Sequence, residues 1–249
     1  MGILNTNNLP MKRILFIAAM ALSLASCSIY HPQTVDIPLL HEPNETRVDA
    51  ALGVSTFLFF PDAITFGGTV SHAFNGWAAG QLHANAGTGT YYVQAAPGAY
   101  LPLGSKGVLE GYVGAGYGGT REHTISNNDS TGSSSSYGGH YALPFAQMNI
   151  GWRDLGPVEL AFGIKTGALL PDYTYTKYSP DSSGTLVASH ERYRDGNLLF
   201  EPQFQFRIGS ERVKYTLRLS WSWLSDLGQT ANHFVYDHFT ISNGLVFTF

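Results

Sequence analysis

The side chains able to carry charge recur at even spacings. Glu201 and Arg207, then Arg212, Lys214 and Arg218, do so within "EPQFQFRIGSERVKYTLRLSWSW" (201–223), and Arg47 with Asp49, and Glu159 with Lys165, do the same elsewhere. Alternate residues of an extended chain share a face, so these residues, with Glu110, mark one polar face of each segment. Brought together inside a sheet that closes on itself, they could pair and fill the interior, since buried charges must be paired. They could instead line a narrow wet path. Bases outnumber acids six to four in this set, so such a path would favour anions. Pairing is the expected outcome, because small barrels are filled by their own side chains.

Other residue types raise sharper chemistry and carry it less far. His238 and Thr240 stand two apart, as a base and a hydroxyl nucleophile would, and both are expected to point inward, but no third, orienting acid can be named. Asp237-His238 is a second acid–base pair, with no matching pair of acids at a comparable spacing. Glycines 114, 116 and 118 in "GYVGAGYGG" look like a phosphate-binding loop, yet no lysine or helix follows. On one strand face they would leave room for bulky inward neighbours or permit sharp curvature. The nine histidines are scattered without metal-ligand spacing. No catalytic, metal or cofactor site is therefore predicted.

The elements that must position these residues are strands. From Arg47 onward a period of two runs between turn residues, giving about ten segments: 47–57, 63–74, 77–86, 89–101, 107–121, 138–152, 157–173, 197–209, 211–224 and 235–249. Eight is the alternative if 47–102 divides differently. Charged residues make up only 13% of the chain, aromatics another 13%, and glycines number 28, whereas a soluble domain carries about 25% charge. Beyond the N-terminal leader no run of about 20 apolar residues could span a bilayer as a helix. A sheet with a greasy exterior must close, since lipid satisfies no backbone group. The expected fold is all-β, an antiparallel up-and-down transmembrane barrel over 47–249. A net charge of −4 without a basic patch points away from nucleic acid.

Connections support this plan. "FNGW" (74–77), "LGSKG" (103–107), "RDLGP" (153–157) and "IGSE" (208–211) are tight, whereas 123–139, 174–196 and 225–233 are long and polar. Val213, Tyr215, Leu217, Leu219, Trp221 and Trp223 should face lipid. Trp221 and Trp223 would form an aromatic girdle at the long-loop end, with Trp77 and Trp152 in the other girdle near the tight turns. A hairpin folding at Gly209–Ser210 would set Glu201 opposite Arg218 and Gln205 opposite Lys214. Pro202 suggests a bulge, because it removes a ladder donor.

Both termini carry signals. "MKRILFIAAMALSLASCS" (11–28) has two bases, an apolar run and small residues before Cys27, the plan of a secretory leader, with Met11 as an alternative start. Leu24-Ala25-Ser26-Cys27 resembles a bacterial lipobox, which implies cleavage after residue 26 and acylation of Cys27, the only cysteine. Residues 27–46 read as an extended tether, long enough to cross a membrane only by threading the lumen. The simpler expectation keeps it periplasmic, running from a lipid in the inner leaflet of the outer membrane to the first strand, with Ile37, Leu39 and Leu40 against a partner or the barrel base. The closing strand ends in Phe249 with apolar residues at alternate positions before it. That ending resembles the assembly signature of bacterial outer-membrane barrels, and anchor plus barrel looks like lipoproteins of Bacteroidota. The resemblance implies location and fold; at that location outer-membrane lipid and the barrel-assembly machinery are the expected partners, with an outer-membrane protein as a further candidate partner for the loops or tether. His238-x-Thr240 is similar to the active site of outer-membrane lipid A deacylases, with threonine in place of serine. Asp237-His238 resembles a pair in ten-stranded omptin proteases. The leading expectation is a non-enzymatic barrel, structural or accessory, with a narrow pore as runner-up and an enzyme third.

Overall fold

The computed structural model describes residues 28–57, 60–126, 134–180, 185–227 and 236–249. Within them lie twelve strands and no helix: β1 (Thr46–Phe57), β2 (Phe60–Ala73), β3 (Ala78–Gly87), β4 (Thr90–Leu103), β5 (Gly107–Ser126), β6 (Ser134–Leu155), β7 (Val158–Pro180), β8 (Leu186–Tyr193), β9 (Asn197–Gly209), β10 (Val213–Trp221), β11 (Trp223–Asp226) and β12 (Phe239–Thr248). Strands β1 to β7 pair in sequence, β7 pairs with β9, β9 with β10, β10 with β12, and β12 with β1, all antiparallel. The sheet is thus closed. Strands β10 and β11 are one wall strand interrupted at Ser222, and β8 pairs only with the far half of β7. The wall therefore has ten strands, as the periodicity predicts.

The period of two is realised as inside and outside. Strand β4 alternates buried and exposed residues through most of its length. Outward Phe66, Leu82, Val113, Met148, Phe200 and Leu245 are exposed, a surface that only an apolar surrounding would favour. Thr46 and Phe249 close one end, where their main chains exchange two hydrogen bonds. The turns before β3, β5, β7 and β10 lie at this short-turn end. The other end carries the long hairpins, including β7–β8.

Several sequence expectations need correction. The β9–β10 hairpin does not fold at Gly209–Ser210: Gly209 pairs with Lys214 and Arg218 with Gln205. Residues 210–213 form a wider loop, closed by the Ser210 N–H on the Val213 carbonyl. The shift is by four residues, so every side chain keeps its face. Pro202 makes no bulge, since the β9 register is unchanged on either side of it. The wall strand is interrupted at Ser222, whose N–H continues the pairing toward β12 by donating to the His238 carbonyl at 2.9 Å. Strand β8 was expected as loop, because its exposed residues bury no face that alternation could mark.

The largest departure concerns the tether. Ser28 to Leu40 lie almost wholly buried, inside the barrel rather than beneath it. Threading is favoured because ten-strand closure leaves polar wall groups that need partners, and an extended chain supplies an acceptor at each residue and a donor at all but Pro32 and Pro38.

Candidate functional site

The lumen is where the inward residues meet, and its wall binds the threaded segment largely through main-chain groups. Gln205 of β9 makes a two-point contact with Ile37, accepting from its N–H at 3.1 Å and donating to its carbonyl at 2.9 Å. Gln203 donates to the Val35 carbonyl at 2.7 Å and Gln81 to the Asp36 carbonyl at 2.7 Å. Glu201 accepts from the Gln33 N–H at 3.2 Å and Glu110 from the Leu40 N–H at 2.8 Å. Arg153 donates to the Leu39 carbonyl at 3.1 Å. These contacts stand in for part of the β-ladder that an isolated extended strand lacks.

Charge pins it at mid-height. One oxygen of Asp36 accepts from both Arg207 and Arg218 at 2.8 Å, and Arg218 also binds Asp49. Arg207 continues to Glu159, which bridges to Arg47. Toward the short-turn end Glu45 accepts from Arg47 at 3.0 Å and Arg153 at 2.8 Å. Toward the other end Glu201 accepts from Tyr30 at 2.6 Å and Ser222 at 2.8 Å, with Lys165 at 3.8 Å. Lys165 also donates to Gln94 at 3.1 Å and stands over the Phe145 ring. Ile37 and Leu39 pack with Val108 and Ala161, meeting the lumen wall rather than a partner or the barrel base.

Glu110, Glu159, Lys165, Glu201, Arg207, Lys214 and Arg218, with Arg47 and Asp49, thus lie buried in the lumen. Arg212 does not: it is exposed in the turn, because the strand starts one residue later. Trp221 and Trp223 are exposed near the long-hairpin end, against Phe239 and Phe200 respectively, and Trp77 and Trp152 are exposed near the other. Cys27 and the leader lie outside the described residues. The site residues missed from sequence are Asp36, Glu45 and Arg153. Asp36 carried a signal, being the one carboxylate between Cys27 and Glu42.

The glycine row is used as space. A Cβ on Gly116 would collide with the Tyr92 hydroxyl, and one on Gly118 with the Tyr141 ring. Tyr92 stacks on Tyr141, which meets Tyr30 of the threaded segment edge-on at 5.5 Å. Beside residues 29–34 the remaining cavity is about 10 Å³, room for about one water.

The catalytic candidates do not assemble. Thr240 is buried against Ser55 at 2.7 Å, whereas His238 is exposed beside Tyr236, correcting the expectation that both point inward. Asp237 is buried and binds Ser28 and His31, each at 2.6 Å. Among the described residues no cluster of three or more His, Cys, Asp and Glu could hold a metal.

No family profile and no curated protein matches the sequence. Solved structures do resemble the fold. The outer membrane protease OmpT from Escherichia coli superposes with a TM-score of 0.55 at 10% identity, over 83% of this chain and 97% of that one. The beta domain of the Bordetella autotransporter BrkA gives 0.39 at 12% identity, over 84% and 99%. The fold is that of bacterial outer-membrane β-barrels.

Proposed function

We propose that this chain is an outer-membrane barrel lipoprotein without enzymatic activity, sealed by its own N-terminal segment and acting as a structural or accessory component. The supporting observation is the row of wall side chains from Glu201 to Arg153 that bind the main chain of residues 33–40. An open pore would leave those groups to water, and a catalytic cleft would need an unoccupied approach. The apolar exterior, the exported leader and the Phe249 ending favour the outer membrane. The usual arrangement of such barrels sets the short turns in the periplasm and the long hairpins outside. Acylation of Cys27 follows from the lipobox and is tested by palmitate labelling that Cys27→Ser abolishes.

The seal is tested in planar bilayers. The unmodified protein should hold the baseline, and Asp36→Ala combined with Ile37→Asp should produce fluctuating steps, because the segment then loses its central ion pairs and an apolar anchor together. Steady anion-selective steps from the unmodified protein would replace this reading with that of a narrow pore.

A further inference from the structure

Ser28 and Glu45 hold opposite ends of the barrel. Beside Ser28, the Ile29 carbonyl accepts from Thr120 at 3.3 Å and from Tyr173 at 3.4 Å, residues in the far halves of β5 and β7. The Asp237 N–H donates to the Tyr30 carbonyl at 2.9 Å, and Tyr30 bridges to Tyr236 just ahead of β12. With the Ser28 and His31 contacts to the Asp237 carboxylate, these fasten residues 28–31 at the long-hairpin end. At the short-turn end, the Asn44 N–H donates to the Ala73 carbonyl at 2.8 Å, and His41 meets the Gly104 carbonyl at 3.3 Å. Between the two lie about a dozen extended residues, at about 3.3 Å each enough to cross the hydrocarbon.

We infer that the chain leading into Ser28 enters the lumen from the extracellular side, so that the N-terminus of the mature protein lies at the cell surface and its acyl chains belong to the outer leaflet. This rests on the orientation and the lipid anchor proposed above. Consecutive Cα atoms are about 3.8 Å apart, whereas the hydrocarbon core is about 30 Å thick. A residue adjoining Ser28 cannot reach the periplasmic leaflet while Ser28 holds Asp237. Ser28 is itself fully buried, so the route to lipid leads out through the long-hairpin mouth and over its rim. The anchor then occupies the leaflet opposite the one a periplasmic tether would use, and the protein presents a lipidated end alongside its outer hairpins.

Three forms of the full chain test this, each with one short epitope: between Cys27 and Ser28, between Asn128 and Asp129, or after Lys106. Antibody should label the first two on intact cells to the same extent, and the third only after permeabilisation. Labelling of the Lys106 epitope on intact cells, with the Asn128 one hidden, would overturn the orientation. A surface Asn128 epitope with an N-terminal epitope seen only after permeabilisation would overturn the inference and leave the orientation standing. Because the epitope alters the end under test, a second measurement uses the untagged chain with a photoreactive phenylalanine analogue in place of Tyr30. Illumination of intact cells should join the peptide holding residue 30 to those holding Tyr141 or Tyr236. Capture confined to short-turn peptides, or to periplasmic proteins, would overturn the inference. Cys27→Ser should remove the acyl label without changing this cross-link; its loss in that variant would show that threading depends on the lipid and overturn the route as a property of the fold.

Discussion

Asp36 joins two guanidiniums that would otherwise face each other in a dry interior. Removing one partner of such a buried network costs about 3–5 kcal/mol, because the charges left behind have no solvent. Asp36→Asn should therefore lower the unfolding free energy, read from urea titration of the folded band in detergent, by that order, and a loss below about 1 kcal/mol would mean that Asp49 and Glu159 suffice for Arg207 and Arg218. Gly116→Ala should cost about 1–3 kcal/mol by overpacking. Since the nearest obstacle is the Tyr92 hydroxyl, adding Tyr92→Phe should recover part of that loss; equal midpoints for the single and double variants would show that the glycine serves the backbone instead. At this scale the wall was legible and its occupant was not. Alternation placed Glu159, Glu201, Arg207 and Arg218 inside, because parity survives a register error. Arg212 was misplaced, because parity does not say where a strand begins. Asp36 sits in a proline-bearing stretch with no period, so nothing local distinguishes a linker from a strand-like plug whose partners lie on the other strands.

Elements show the same division between local and distant causes. Strand number followed from turn chemistry and alternation, both local. The β9–β10 register was missed although its cause is also local, since the Ser210–Val213 loop closes through its own hydrogen bonds where a tight two-residue turn was expected. Strand β8 escaped notice because it stands beyond the wall. There Asp172 is held down to about 2 by two hydrogen bonds from Arg192 and by the adjacent charges of Arg192 and Arg194. A carboxyl with a depressed folded value stabilises above its ordinary value of about 3.9 and loses that contribution as pH falls toward about 2. Pepsin nicking of the β7–β8 hairpin in an otherwise folded barrel should thus rise across that window, and Asp172→Asn should remove the dependence. At the barrel seam, Phe249 contributes both a side chain and two main-chain bonds to Thr46. Deleting it should slow assembly more than Phe249→Ala, which keeps the bonds; equal defects would assign the whole effect to the ring.

For the whole molecule, the order of events matters. Ser28 binds a residue 209 positions away, and Gln205 binds one 168 positions away, so the final structure depends on the most distant pairings, which form slowly. An extended segment carrying Tyr30 and His31 would have to pass the Tyr92–Tyr141 layer if the wall closed first. Closure of the β1–β12 seam is therefore expected to follow capture of the segment. During refolding in detergent, protection of residues 28–41 from protease should come no later than the heat-modifiable band. A closed band with an unprotected segment would require entry through a finished wall.

The threaded strand also has a mechanical meaning. Its fastenings to Gln81, Gln203, Gln205, Arg207 and Arg218 lie across the pulling direction, so a tug on the outer end would load them side by side in shear, as a bolt is loaded, instead of peeling them singly like a zipper. With the outer end at the cell surface, as proposed, a force applied there would be shared among β3, β9 and β10 before it reached the first wall strand, and the barrel would take the traction through its wall.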